Sequence, residues 1–375
     1  MSSDGKFLDQ LNFGKASDSL DITLWIFNLE LDKKSPLLAA AHDWVEEFAQ
    51  RVNQIVVVST HVGEFSLPAN VIQFEIGGGN LVNRIRGAWR LIGLLPMLYK
   101  SRNKSIVFHH MSPRTALILG LPIKIFNIPQ GLWYAHPKYS IEFRLSRLFV
   151  DLIFTSTKSS APGKNTKYLA IGNGISNKRY QVQNNWKEKR SGSIVVLGRV
   201  SPIKKVENLL LNLRQLDQKS LSLCQEVKIY GPFDPVSPYY HYLVSIKNQL
   251  SLPVTFEGVL DYSSITNVLA SVDLFYNGMH GSVDKAALEA SLNGCLLITE
   301  NAAALELTGM KEVWEKVIKM RVPPLQEQLH ILLKIPEELK VTMRDIVHTR
   351  TQENCGLEQT VSRILEPLMT LRNQK

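Results

Sequence analysis

The chain alternates short apolar runs with longer stretches whose apolar residues recur at helical spacing. Residues 21–28 read as a buried strand and 37–51 as a helix, with Trp44, Phe48 and Val52 on one face. Residues 54–59 form the next apolar run, 84–99 a helical period, and 105–109 a third run. The pattern then restarts. Residues 167–171 lead into the turn signal Gly172-Asn173-Gly174, and the polar stretch 184–192 reads as a linker centred near residue 188. Beyond it, strands at 193–197, 226–230, 254–257, 273–276 and 295–299 alternate with helices at 206–216, 241–250, 263–270 and 285–292. An amphipathic period at 357–371 closes the chain, with Val361, Ile364, Leu365 and Leu368 at helical spacing. Short apolar runs alternating with helices predict parallel sheets covered on both faces, in two tandem α/β units. Two such sheets facing each other put a ligand cleft at the carboxyl ends of their strands.

Composition changes this picture little. The 375 residues, 45% hydrophobic and 21% charged, fit two globular domains without any disulfide staple. Cys224, Cys295 and Cys355 share no CxxC spacing, so neither a disulfide framework nor a zinc site is expected, and a reducing compartment is. Residues 1–20 lack the apolar stretch of a signal peptide, and no run reaches the roughly 18 apolar residues of a spanning helix. The expected location is the cytoplasm, with the protein free or lying on a surface.

Charge changes it more. The net charge is +9, yet residues 84–179 alone hold 16 Lys and Arg against two acids, Glu142 and Asp151, a balance of +14. A one-sided basic block points to an anionic partner: a lipid headgroup layer, a phosphorylated acceptor or a nucleic acid. Residues 83–104 are basic at both ends and apolar between, with Trp89, Ile92, Leu95 and Tyr99 near helical spacing. That composition fits a helix lying in a membrane interface, and equally a buried helix with basic ends. Pro96 is expected to bend it or end it early. No RRM, KH or helix-turn-helix pattern supports a nucleic-acid partner.

Two motifs carry candidate chemistry. Gly198-Arg199-Val200-Ser201-Pro202-Ile203-Lys204 directly follows a strand. A glycine opens the turn and two cations stand at the mouth of a helix, whose free amides add donors. A diphosphate could sit there, although two solvated loop cations would look the same. The second runs from His280 to Ala290 and enters a helix through the small residues Gly281 and Ser282. Glu289, one turn in, suits a ribose diol, or a plain helix-surface charge.

Together these motifs resemble the retaining glycosyltransferases of family 4, whose fold is the GT-B arrangement of two Rossmann-like domains facing across a cleft. Gly198-Arg199 with Lys204 is similar to the family's strand-end Gly-Arg-x-x-x-x-Lys. Ile229-Tyr230-Gly231-Pro232 resembles the glycine-ended strand that follows, and 254–259, with Glu257, the segment lining the base. Residues 284–299 resemble the donor-binding helix and its next strand. In the first half, Leu29-Glu30-Leu31-Asp32, Trp133-Tyr134-Ala135-His136 and Ile171-Gly172-Asn173-Gly174-Ile175 are similar to segments flanking the cleft in one bacterial branch.

The resemblance implies an acceptor-binding domain over 1–187, a nucleotide-sugar-binding domain over 188–355, and a last helix, 356–375, crossing back to the first domain. It implies Arg199, Lys204 and His136 as catalytic, and Gly198, Gly231, Glu257, Ser282, Asp284, Lys285, Ala286 and Glu289 as donor-binding. Glu30, His109 and His110 are candidates for the acceptor or the cleft. As bare residues, His136 and one of the two neighbouring histidines also fit structural roles.

The implied activity is hexosyl transfer with retention from a nucleotide-diphosphate donor, without cofactor or dedicated metal, to a saccharide or lipid-linked acceptor. The setting would be cell-envelope polysaccharide or glycolipid synthesis, at the inner face of the plasma membrane through 84–104. Two positions depart from the family. Gly281 stands where the first Glu of a Glu-x7-Glu donor motif is usual, and Lys205 where glycine is common. The first departure motivates an alternative, a non-catalytic sugar-nucleotide-binding subunit. A sugar-nucleotide epimerase of the same fold is a further one.

Overall fold

The computed structural model describes residues 20–35, 40–135, 139–157, 160, 167–180, 186, 189–261 and 264–375. Two parallel sheets organise the chain. The first contains β1 (Leu20–Leu31), β2 (Val52–Val62), β3 (Val71–Glu75), β4 (Ser105–His110), β5 (Gln130–Trp133), β6 (Leu152–Thr155) and β7 (Tyr168–Ala170), in the order β3-β2-β1-β4-β5-β6-β7. The second contains β8 (Arg190–Leu197), β9 (Glu226–Tyr230), β10 (Val254–Gly258), β11 (Val272–Asn277) and β12 (Leu296–Thr299), in the order β10-β9-β8-β11-β12. Both orders reverse direction beside their first strand, between β1 and β4 and between β8 and β11. In doubly wound sheets that switch point opens a crevice at the strand ends. The two Rossmann-like units make a GT-B fold.

Burial explains the layers. In the first sheet, alternate residues of β1 point to opposite faces. Ile22, Leu24 and Ile26 pack with Trp44 and Phe48 of helix Ala40–Ala49. Trp25 and Phe27 pack on the other side with Leu91, Leu119 and Ile123. The first face is completed from the far end of the chain. Helix Leu357–Gln374 inserts Val361, Ile364, Leu365 and Leu368 into the same cluster, and Arg51 donates to Ser362 Oγ at 2.9 Å. The chain therefore passes between domains twice. The two passages pair side by side, with Ile175 N donating to Cys355 O at 2.7 Å and Leu357 N to Ile175 O at 2.9 Å.

Three elements of the first sheet are not marked by hydropathy. β5 is only four residues, Gln-Gly-Leu-Trp, and the side-chain amide of its buried Gln130 donates to Gly120 O at 2.8 Å. β3 is a half-exposed edge strand, and β6 is short. The helical period at 84–99 is two helices, Leu81–Gly93 and Leu95–Lys100, with Pro96 in the first turn of the second. Proline is tolerated there because that turn has no partner for its N–H.

The core of the second domain holds a buried ion group. Asp273, Lys340 and Arg344 are all fully buried. Asp273 accepts from Arg344 Nη2 at 2.6 Å, from Lys340 Nζ, and from Gly192 N at 2.9 Å. The carboxylate thereby ties helix Glu337–Cys355 to β11 and to the start of β8.

Candidate active site

β8 ends at Leu197, and Gly198 N donates to Tyr230 O at 2.9 Å, so the ends of β8 and β9 remain joined. Gly231 takes φ +137°, and a Cβ there would lie 2.1 Å from Gly198 O. Only glycine lets these strand ends close. Val200 N donates to Pro232 O at 3.0 Å, which turns the loop back towards the helix start. Lys204 then lies against Gly198, whose added Cβ would stand 2.9 Å from Lys204 Nζ. The ammonium of Lys204 forms an ion pair with Asp284 Oδ2, the two side chains only 16% and 11% exposed. Arg199, at the same turn, is exposed to solvent.

Asp284 caps helix Lys285–Leu292, its Oδ1 accepting from Ala286 N at 3.3 Å. Glu289 is buried one turn further in, with Lys285 Nζ 3.4 Å from its Oε1. The loop before the helix is pinned by Asn301, whose Nδ2 donates to Met279 O and Ser282 O, both at 2.9 Å. Gly281 in that loop takes φ +90°. L side chains rarely adopt that conformation, so the loop suits glycine rather than the glutamate usual in family 4. Gly198, Arg199, Lys204, Gly231, Ser282, Asp284, Lys285, Ala286 and Glu289 are thus gathered around the β8–β11 switch point. Glu257 is placed differently. It is exposed on the edge strand β10, where its Oε1 accepts from Thr255 Oγ1 at 2.5 Å.

Lys205 has φ +48° and ψ +43°, a left-handed conformation, and its carbonyl accepts from Tyr276 OH at 2.7 Å. This accounts for the glycine common at that position in the resembling family. A non-glycine residue there bears a cost of about 1 kcal/mol. Lys205→Gly is therefore expected to stabilise the second domain by about 0.5–1 kcal/mol, read as a higher midpoint in thermal denaturation.

Across the cleft, the first domain offers a pocket of about 210 Å³ at the β1–β4 switch point. Its walls include Asn28, Glu30, Trp44, His110, Trp133 and, from the second domain, Lys285. His110 stacks on Trp44 with ring centroids 4.8 Å apart, and burial pushes its pKa down to about 4. It is a neutral ring at pH 7. Gly174 O accepts from Trp44 Nε1 at 3.0 Å, fixing the 172–175 turn on the pocket rim. Glu30 accepts from Ser35 Oγ at 3.1 Å. Its carboxylate, Asp32 and His61 bring ligand atoms within 4.8 Å of one another, a grouping their spacing in the sequence does not signal. His136 lies outside the described residues.

His109 is not in the cleft. As its strand neighbour it points to the opposite face, fully buried, stacked on Phe27 at 5.2 Å and paired with Thr115 Oγ1 at 2.9 Å. Burial pushes its pKa down to about 3. The folded state thus binds fewer protons than the unfolded chain below pH 6.5. The stability this ring contributes is full above that pH and lost as pH falls towards 3, by about 2 kcal/mol at pH 5. Urea titrations at pH 7 and pH 5 should show that loss, and His109→Gln should shrink it.

Among the pocket residues, Asn28 and Met111 carry no motif. Asn28 Nδ2 is a buried donor without a hydrogen-bond partner among the described residues, although Asn28 Oδ1 accepts from Ser59 Oγ. Met111, at the end of β4, has φ +53°. A polar residue ending the apolar run at 21–28 was the only sequence trace of Asn28, and Met111 left none.

The fold has solved counterparts. HepE of Anabaena, in complex with UDP, aligns with a TM-score of 0.67 at 14% identity, over 93% of this chain and 100% of that one. A glycosyltransferase from Rickettsia africae aligns at 0.64 and 13%, over 95% and 100%. The N-terminal domain of the trehalose-6-phosphate phosphatase of Candida albicans aligns at 0.63 and 10%, over 96% and 99%. At these identities the likeness establishes the fold alone. No protein-family model and no curated protein matches the sequence.

Proposed function

We propose that the protein is a retaining glycosyltransferase that moves a hexosyl group from a nucleotide-diphosphate donor to a lipid-linked saccharide acceptor. The observation that carries this reading is the meeting of the two switch points. Lys204, Arg199 and the start of helix Lys285–Leu292 gather at one, and Lys285 reaches the pocket at the other. Cations beside the start of a helix suit a diphosphate. The buried carboxylate of Glu289 suits the ribose. HepE, among the structural counterparts, holds UDP, and in another structure UDP-glucose.

In this mechanism Arg199 and Lys204 stabilise the charge that develops on the departing diphosphate, and need no dedicated metal to do so. The departing oxygen takes the acceptor's proton on the face it leaves, which gives retention. Asn28 and His110 face the acceptor side, and His136 is assigned to the donor sugar by resemblance. Glu257, on the outer strand, is left to the base.

The acceptor assignment rests on the outer helices of the first domain. Helix Leu81–Gly93 buries only Gly87 and Leu91, while its apolar stripe of Val82, Ile85, Trp89 and Ile92 faces solvent, Trp89 at 68% exposure. Arg86 and Arg90 border that stripe. Neighbouring helices leave Ile125 and Ile141 at 72% and 76%. Among the described residues no helix is long and apolar enough to cross a membrane. An apolar ridge among cations suits the surface of an anionic bilayer, and supports a role at the inner face of the plasma membrane in envelope polysaccharide or glycolipid synthesis. Pelleting with phosphatidylglycerol vesicles, lost in Trp89→Glu and in high salt, is the expected result.

A thermal-shift series with UDP, GDP and ADP tests the donor seat: one of them should raise the melting midpoint, and no shift with any sinks the proposal. Gly281 in place of the usual glutamate favours one other reading, a sugar-nucleotide-binding subunit without activity. Slow donor hydrolysis without acceptor separates the two, since only the enzyme shows it.

A further inference from the structure

The carboxylate of Asp284 occupies both anion-binding devices of the site at once. One oxygen accepts from Ala286 N at the helix start, and the other pairs with Lys204. The pair is the most enclosed cation contact near the cleft, with side chains 16% and 11% exposed. Lys204 and the helix start are the two groups to which the donor's diphosphate is assigned above. A phosphate arriving there meets a resident anion holding its intended partners.

We infer that Asp284 is an internal stand-in for the terminal phosphate of the diphosphate, and that it sets the preference of the site for donor over product. The inference rests on the proposed donor seat. In a nucleotide-sugar the terminal phosphate is esterified to the sugar and joined by an anhydride to its neighbour, with one negative charge. Transfer breaks its bond to the sugar carbon, and the phosphate oxygen keeps the electron pair. The product then carries up to one more negative charge at that end. A fixed carboxylate beside Lys204 repels the product more than the donor. Lys204 changes partner, from Asp284 to the phosphate during the reaction and back to Asp284 as the nucleoside diphosphate leaves. Asp284 is a positioning residue on this account, since it acts through Lys204 and through electrostatic repulsion.

The alternative is that Asp284 touches donor-sugar hydroxyls in place of the carboxylate missing at Gly281. The two roles have opposite signatures. Asp284→Asn and Asp284→Ser both keep an oxygen for the helix cap, so the helix start survives while the charge is removed. Titration calorimetry should use whichever of UDP, GDP and ADP stabilises the wild type most, together with its glucose conjugate. Both variants are expected to bind the nucleoside diphosphate about tenfold tighter, the effect of removing one partly enclosed like charge. The sugar conjugate should gain less, so that the product-to-donor affinity ratio rises. Turnover should show correspondingly stronger product inhibition.

Weaker binding of the conjugate with unchanged binding of the free diphosphate would mean that Asp284 reads the sugar, and overturns the inference. Unchanged affinities for both ligands overturn it too, while leaving the donor seat intact. If neither the wild type nor the variants bind any of the three nucleotides, the donor seat itself falls, and this role with it.

Discussion

Lys204→Ala is expected to slow sugar transfer by about 10²–10³-fold, the usual cost of removing one preorganised donor to a developing anion. The reason is local. Lys204 is held against Gly198 and Asp284 in a nearly closed space, so its charge is only weakly screened by solvent. Solvent does not replace such a cation once it is deleted. Arg199, exposed at the same turn, should cost less in turnover and more in donor binding, because it has to be drawn in by the ligand. Lys204→Arg should recover part of the rate, since charge survives while the compact fit to Gly198 does not. The measurements are turnover with acceptor and the nucleotide-induced shift in melting midpoint. An unchanged rate in Lys204→Ala, with the fold intact, would remove Lys204 from the chemistry.

The second large effect concerns stability. Asp273→Ala is expected to destabilise the second domain by about 3–5 kcal/mol, because it leaves Lys340 buried without a counter-charge and Arg344 with only the partly exposed Glu337. For a domain of this size that is a drop in melting midpoint of about 10 °C. Simultaneous replacement of Asp273, Lys340 and Arg344 by apolar residues of similar volume should recover much of the loss, as it removes the stranded charges together. Calorimetry on the single and triple variants reads both. A fall in the single variant no larger than for an exposed ion pair, about 1 kcal/mol or less, would show that water reaches the cluster.

The parts legible in the sequence are those where one local rule is enough. β9 and helix Lys285–Leu292 stand where hydropathy places them, because each is an apolar period bounded by polar or glycine turns. Gly198 and Gly231 could be read as strand-end turns, and the structure adds their contact with each other. What was not legible depends on pairings distant in sequence. Gln130 begins an inner strand with its side chain donating to Gly120 O and Phe149 O and its backbone N to Asp151. The contact of Lys204 with Asp284 spans 80 residues. His109 and His110 read alike as neighbours, yet strand alternation sends one to the core and the other to the pocket. The outward stripe of helix Leu81–Gly93 has the same periodicity as an inward one, and only the packing of Gly87 and Leu91 settles its direction.

The last helix also dictates when the first domain can be made. Val361, Ile364, Leu365 and Leu368 belong to the core around Trp44 and Phe48. A ribosome that has released residues 20–180 has therefore delivered a sheet with one face covered only in part, by helix Ala40–Ala49. That face stays open while the second domain is synthesised and folds. The first domain is finished only when residues 357–374 leave the exit tunnel. The second domain can thus complete its core before the first, and a stop codon near position 356 would strand the first as an aggregation-prone intermediate.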